Sequence, residues 1–323
     1  MIMTHNFCTL FDKNYLYRGL ALHSSLLEHC PDFFLFILCL DDETQATLSR
    51  LNLKNVRLVS SRDIESPELL AARQNRTRQE YAWTLGSFFT NYVLENNAGL
   101  PSITYLDSDI YFYSSPQALF DELGEDSVLI IRHNYEERLR YLEHSGLYNV
   151  ALVIFKNDGR GSAVLKKWRD DVLAWCYNRH EDGKFGDQMY LDKWTSDWTG
   201  VCVSQHPGAD LAPWNLNRYR ITAENGKILV DGRPLVFYHT HTLKMIAPDR
   251  FELYSSFYRL PEAAVRLIYD PYTDCLRRAV AVVRAVDPNF QHGYRAPESF
   301  RDKLRQRLKR LLVTLYFSHK RYG

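Results

Sequence analysis

No apolar run in this chain reaches the ~18–20 residues that a membrane-crossing helix needs, so a helical integral membrane protein is not expected. Net charge is nearly absent, at +1 over 323 residues, and a field that weak gives no argument for nucleic acid as a partner. Six cysteines stand at 8, 30, 39, 176, 202 and 275 without one C-x-x-C pair. That spacing excludes a zinc knuckle or a dithiol redox motif, and the scatter fits a reducing compartment. The opening MIMTHNFCTLFDKNY has no basic segment followed by an apolar one, so no secretory signal is expected and a cytoplasmic setting is. Glycines 159 and 161 begin a dinucleotide-type loop but the third glycine is missing, since position 164 is Val. There is no internal repeat and no low-complexity stretch.

What is present suffices for a large core: 46% of residues are hydrophobic and 24% charged. Residues 5–10 read as a strand and 14–28 as a helix with leucines at helical spacing, ended by Pro31. Residues 33–40 form a continuous apolar run of strand length, the kind that is covered on both faces of an α/β sheet. Residues 43–51 read as a helix and 56–59 as a strand. The order β-α-β-α-β predicts an α/β fold with a mostly parallel sheet flanked by helices. Residues 62–97 read as mostly helical, 116–123 as a short helix, 128–132 and 147–156 as strands, and 159–177 as an amphipathic helix. A hairpin is expected to turn at Asp231-Gly232, joining 228–230 to 235–238. From about 248 the pattern is helical, over 263–286 and 299–317.

The chain is organised around SITYLDSDIYFY, residues 102–113, a core-forming segment interrupted by Asp107 and Asp109. Acids in such a place are costly unless a cation compensates them. With Ser108 as the single spacer, both carboxylates can approach one hard cation, Mg²⁺ or Mn²⁺. His239 and His241 stand at the end of a later predicted strand, followed by Lys244. Strand ends gather along one edge of a parallel sheet, so acids and imidazoles more than a hundred residues apart can meet there. An imidazole beside two carboxylates favours Mn²⁺ over Mg²⁺. Alternation leaves His239 and His241 on one face, and the pattern does not separate them. Arg73, Arg76 and Arg78 precede the acid-ended strand and suit either a phosphate or a solvated face. The tail carries eight Lys or Arg between 300 and 323 against Asp302 alone, with a stripe of Leu304, Leu308, Leu311 and Leu315. Residues 299–323 thus fit an anionic membrane surface, and equally a helix packed on its own chain.

Over residues 5–245 the chain resembles the GT-A glycosyltransferases, and is most similar to the group of glycogenin and the bacterial lipopolysaccharide galactosyl- and glucosyltransferases. The resemblance rests on pieces in the family's order: CTLFDKNYL at 8–16, YLDSDIYFY at 105–113, YNVALVIFK at 148–156, GDQMYLD at 186–192, PWNLNRY at 213–219 and FYHTHTLK at 237–244. It implies a catalytic domain over 1–247 and a helical extension over 248–323. It implies Thr9, Phe11 and Asp12 at the base and ribose of a uridine-type nucleotide, with Arg78 and Ser108 also on the donor. Asp107, Asp109 and His239 would hold the metal, Lys244 would meet the diphosphate, and Asn149 and Asp187 would meet the sugar. Gln188 would stand near the anomeric carbon, and retention of configuration is implied. The expected partners are a nucleotide sugar and a glycan or glycolipid acceptor at the inner face of a bacterial membrane.

The chain also departs from that pattern. Met189 replaces an acid after the Asp-Gln pair, and Asn149-Val150-Ala151 replaces Asn-x-Gly. Thr242 and Lys244-Met245 stand where the closing segment often has Gly and Lys-Pro-Trp. These changes bear on sugar and acceptor, and leave open a non-catalytic nucleotide- or sugar-binding protein on the same scaffold. A haloacid-dehalogenase-type phosphotransferase also uses Asp-x-Asp, but wants Thr or Val where Tyr111 stands.

Overall fold

The computed structural model describes residues 4–322, and side chains as far as Val313. The first half alternates as expected: β1 (His5–Phe11), α1 (Leu16–His29), β2 (Phe33–Cys39), α2 (Asp42–Leu51), β3 (Val56–Ser60), α3 (Pro67–Asn75) and α4 (Arg78–Glu95). Then come β4 (Ser102–Leu106), β5 (Ile110–Phe112), α5 (Gln117–Leu123), β6 (Val128–Arg132), β7 (Tyr148–Lys156), α6 (Gly159–Ala174), α7 (Trp194–Asp197) and β8 (Val201–Val203). The chain continues through β9 (Ile221–Glu224), β10 (Lys227–Val230), β11 (Arg233–Pro234), β12 (Phe237–His239), β13 (Lys244–Ala247) and β14 (Arg250–Glu252) into α8 (Glu262–Val286) and α9 (Phe300–Tyr322).

Seven strands form the central sheet in the order β3-β2-β1-β4-β7-β6-β8. All run parallel except β7, which is antiparallel to both its neighbours. Every residue of β1 is buried, because helices cover both faces. Its side chains alternate between two cores: Phe7 and Phe11 join one, Cys8 and Leu10 the other. The segment read as one helical stretch over 62–97 is broken at Arg76 and Thr77. A capping box starts α4 afresh: Glu80 N donates to Thr77 Oγ1, and Thr77 N donates to the Glu80 carboxylate at 2.7 Å.

Three features differ from the sequence expectation. Asp231-Gly232 does turn a hairpin, with both residues at positive φ, but it joins β10 to β11. Residues 237–239 leave that sheet and pair antiparallel with β5, placing His239 opposite Ile110. This long-range pairing puts a histidine beside the acids. Second, a further hairpin turns at Asn225-Gly226. Third, residues after 247 begin not with a helix but with β14, antiparallel to β13, so the 247/248 boundary falls inside a hairpin.

α8 lays Ile268, Tyr272, Cys275, Leu276 and Val283 into the same core as Leu16, Leu20 and Leu22 of α1. Its tyrosines also reach β12 and the loop after it. Tyr269 and Tyr238 hydroxyls meet at 2.8 Å, and the Thr240 and Tyr272 hydroxyls at 3.3 Å.

Candidate active site

The end of β4 delivers Asp107, whose N–H donates to Ala151 O of β7 at 2.9 Å and whose Oδ1 accepts from the Tyr105 hydroxyl at 2.9 Å. A single turn then reaches Asp109. Its carbonyl is gripped by Thr240, through N at 3.0 Å and Oγ1 at 2.7 Å. The β5–β12 pairing brings His239 Nε2 to 3.3 Å from Asp109 Oδ1. One ligand atom each from Asp107, Asp109 and His239 lie within 4.8 Å of one another. Two hard carboxylate oxygens and an imidazole nitrogen within that distance are a donor set for Mn²⁺ or Mg²⁺, so these residues fit the expected ion.

Electrostatics separate the two acids. Burial and the charge of Asp109 raise Asp107 to about 6. Burial would raise Asp109 too, but the adjoining His239 outweighs it and holds Asp109 down at about 2. His239 is also desolvated, yet Asp109 and Asp210 together raise its pKa well above the ordinary value. Of the two histidines, His239 is therefore the one against the acids. His241 is exposed at the lip, its ring 5.3 Å from Trp214 and 5.8 Å from His239.

Asp210 is the residue that sequence reasoning missed. It is buried, with its carboxylate 3.6 Å from His239 Nδ1, behind the face that Nε2 presents to Asp109. A ring that ligates through Nε2 carries its remaining proton on Nδ1, the side that faces Asp210. The loop is built for this. Asn149 Nδ2 donates to both Asp210 oxygens at 3.1 and 2.8 Å, and Asn215 Nδ2 donates to Asp210 O at 2.9 Å. The only local hint in sequence is one acid inside the apolar stretch GADLAPW.

Other expected residues lie in varied places. Asp187 is buried near Asp107, and burial with that neighbour's charge pushes its carboxyl up to about 8. Gln188 caps the short helical turn Met189–Lys193, with its amide donating to Ser145 O at 2.7 Å. Asn149 points to Asp210 and His239. Asp12 pairs with Arg78, while its Oδ1 accepts from Asn14 N at 2.7 Å. Ser108 is buried in the turn between the acids. The side chains of Thr9 and Phe11 both lie in the core. Thr9 is fully buried, and Phe11 lies so close under α1 that a Cβ on Gly19 would sit 2.3 Å from its ring. Lys244 faces Glu252, 3.8 Å away across the β13–β14 hairpin. Thr242 adopts φ +68, the left-handed conformation that favours glycine, and its Oγ1 accepts from Ser255 N at 3.0 Å.

No protein-family model matches the chain. Two uncharacterised proteins of Bacillus subtilis (strain 168) are similar to it nearly end to end. YfnD is 30% identical over 295 residues, 90% of this chain and 94% of YfnD. YfnF is 31% identical over 296 residues, 89% of this chain and 97% of YfnF. Among solved structures, the galactosyltransferase LgtC, in complex with donor and acceptor sugar analogues, superposes with a TM-score of 0.50 at 15% identity. That match covers 92% of this chain and 99% of LgtC. The glycosyltransferase GlyE of Streptococcus pneumoniae TIGR4 gives 0.51 at 15% identity, covering 91% of this chain and 66% of GlyE. These likenesses give the fold as GT-A, with a C-terminal helical region in addition.

Proposed function

The chain belongs to the family of Bacillus subtilis YfnD and YfnF, and from its GT-A fold and its Asp-Asp-His cluster we propose that it is a metal-dependent glycosyltransferase. In this reading it moves a sugar from a nucleoside diphosphate, of the UDP type, to a glycan or lipid-linked acceptor with retention of configuration. The observation that carries the reading is the donor cluster of Asp107, Asp109 and His239 at the strand ends of a GT-A sheet.

Asp107, Asp109 and His239 would hold Mn²⁺ or Mg²⁺, which when bound neutralises negative charge on a diphosphate leaving group. Asp210 keeps the His239 ring turned so that Nε2 faces the acids. The Tyr105 hydroxyl fixes the Asp107 carboxylate, and Thr240 fixes the Asp109 backbone, so the ligands need little rearrangement. Asp187, an acid raised to about 8, can donate as well as accept a hydrogen bond, which suits a sugar hydroxyl. Gln188 is an amide held by Ser145 and a poor nucleophile. We therefore favour attack by the acceptor on the same face as the departing diphosphate over a covalent glycosyl-enzyme.

We read 248–323 as an extension serving the catalytic unit, with α9 as its contact to an anionic lipid surface. Phe300, Leu304, Leu308, Leu311 and Leu312 are exposed and share one face of α9. The opposite face is the one that meets the body. Lys303 pairs with Glu252 at 3.0 Å, and Arg310 donates to Ser256 O and Tyr258 O at 3.2 and 3.3 Å. Exposed Arg301, Arg305 and Arg307 flank the apolar stripe, the arrangement of an interfacial helix. Leu315, Lys320 and Arg321 of the expected stripe and basic run lie outside the described side chains. Among the described residues no helix is long and apolar enough to cross a membrane.

The test of the enzymatic reading is UDP-sugar hydrolysis in the absence of acceptor. A transferase shows slow release of UDP that requires Mn²⁺ and disappears in Asp109→Asn. Nucleotide binding without any such turnover would move the protein to the non-catalytic reading.

A further inference from the structure

We propose that Arg295, from the segment beyond α8, supplies the positive charge that meets the diphosphate of the donor. The proposal rests on the nucleotide-sugar reading above and assigns a residue to it that lies outside the segment of family resemblance.

The first support is a missing charge. Lys244, the cation expected on the diphosphate, is turned to Glu252, which also takes Lys303 at 3.0 Å. Arg78 is spent on Asp12, and buried Arg18 donates to Leu243 O at 2.7 Å. A dianionic diphosphate beside two carboxylates needs more positive charge than one metal ion and these committed groups offer.

The second support is how the segment is held. Phe290 is buried against Tyr17, ring centroids 5.6 Å apart. His292 Nε2 stands 2.8 Å from Glu43 Oε1, and the Tyr294 hydroxyl donates to that of Tyr17 at 3.4 Å. Gly293 lies at φ +88, and a Cβ there would sit 3.0 Å from the Tyr17 ring. Arg295 N then donates to Met245 O at 2.8 Å, which pins the residue against the strand after the His239 loop. A segment fixed at so many points presents its next side chain in a defined place.

The third support is where that side chain goes. The Arg295 guanidinium lies 5.8 Å from the centre of the Tyr15 ring, and the Arg18 guanidinium 4.7 Å from the same ring. Tyr15 follows directly on the Asp12 turn, and its phenol, raised mainly by burial, lies within the electrostatic reach of Asp109 and Asp107 as well as of both arginines. Arg295 is exposed, and among the described residues no carboxylate pairs with it. An unpaired guanidinium on a fixed segment, beside the acids' own neighbour, is suited to bidentate contact with phosphate oxygens.

The experiment is calorimetric titration of UDP, in Mn²⁺, into the full chain and its Arg295→Ala, Arg295→Lys and Lys244→Ala variants, with UMP as comparison ligand. Arg295→Ala should melt with the parent, since the side chain is exposed. It should bind UDP about tenfold more weakly, in line with loss of a charge-assisted hydrogen bond. The loss should be smaller for UMP, and Arg295→Lys should recover part of it. Unchanged UDP affinity in Arg295→Ala overturns the assignment. So does a loss confined to Lys244→Ala, which would return the role to Lys244. If the parent chain binds neither UDP nor GDP, the nucleotide reading itself fails and this assignment falls with it.

Discussion

The cleft has an inner wall and an outer rim that are built by different rules. In the wall, one chain of groups answers another: Asp109 is met by His239, His239 by Asp210, and Asp210 by the amide of Asn149. These groups are desolvated, so each would be costly alone and the set is stable only as a whole. The rim, from residue 240 onward, leaves groups unanswered. Arg295 has no acidic partner among the described residues, Thr242 holds a left-handed backbone, and α9 turns its apolar face outward. The difference teaches that the wall is assembled before any ligand arrives, whereas the rim is completed by what binds to it.

The sharpest break of this contrast is in the wall. Asp109→Asn should weaken Mn²⁺-dependent UDP binding at least about a hundredfold, above the range for outer residues, while circular dichroism stays unchanged. Asp210→Asn keeps shape and removes only the charge behind His239. It should cost about 10–100-fold in Mn²⁺ affinity, read by titration of the metal against its electron-spin resonance signal. An unchanged affinity there would mean that the wall is not a coupled set. On the rim, Leu308→Asp with Leu311→Asp should lower binding to vesicles rich in anionic lipid about tenfold and leave UDP affinity as it was. Equal vesicle binding would show that α9 is not the contact.

Two smaller effects sharpen the picture. His133, buried behind Trp214, has its pKa depressed by that burial to about 3, against an ordinary 6.5. A histidine held neutral in the fold contributes stability above the unfolded value, and this is lost as pH falls from about 6.5 towards 3. Urea midpoints should therefore drop between pH 7 and 5, and drop less in His133→Gln. The smallest effect is expected at Thr242. Thr242→Gly relieves about 1 kcal/mol of backbone strain and loses the Ser255 hydrogen bond of about 1 kcal/mol, so melting should move by only a few degrees.

The α/β order and the Asp107–Asp109 pair were legible because they follow from local signals, whereas His239 was set apart from His241 only by the family resemblance. Apolar runs of strand length fix the parallel sheet, and parallel strands gather their ends at one edge. The wall's deeper member was not legible. Asp210 is set beside His239 by the bridge of Leu211 to Tyr238 and the His239 N to Leu211 O hydrogen bond, and reaches the acids only because β12 also pairs with β5, which no local pattern encodes. The same pairing divides the expected strand 235–238: Leu235 stays with β10, its N donating to Ile228 O at 2.8 Å, while Phe237 and Tyr238 go to β5. Thr9 and Phe11 belong to a strand covered on both faces, and both side chains are buried there. The rim was least legible, since Lys244 and Arg295 have the same charge in sequence and differ only in whether Glu252 stands nearby.

The measurement that bears most directly on the account is UDP binding by calorimetry, with GDP as control, in the presence and absence of Mn²⁺, for the parent chain and Asp109→Asn. The account predicts UDP binding that requires Mn²⁺ and is lost in the variant. Binding that is indifferent to Mn²⁺, or that survives intact in Asp109→Asn, would contradict it.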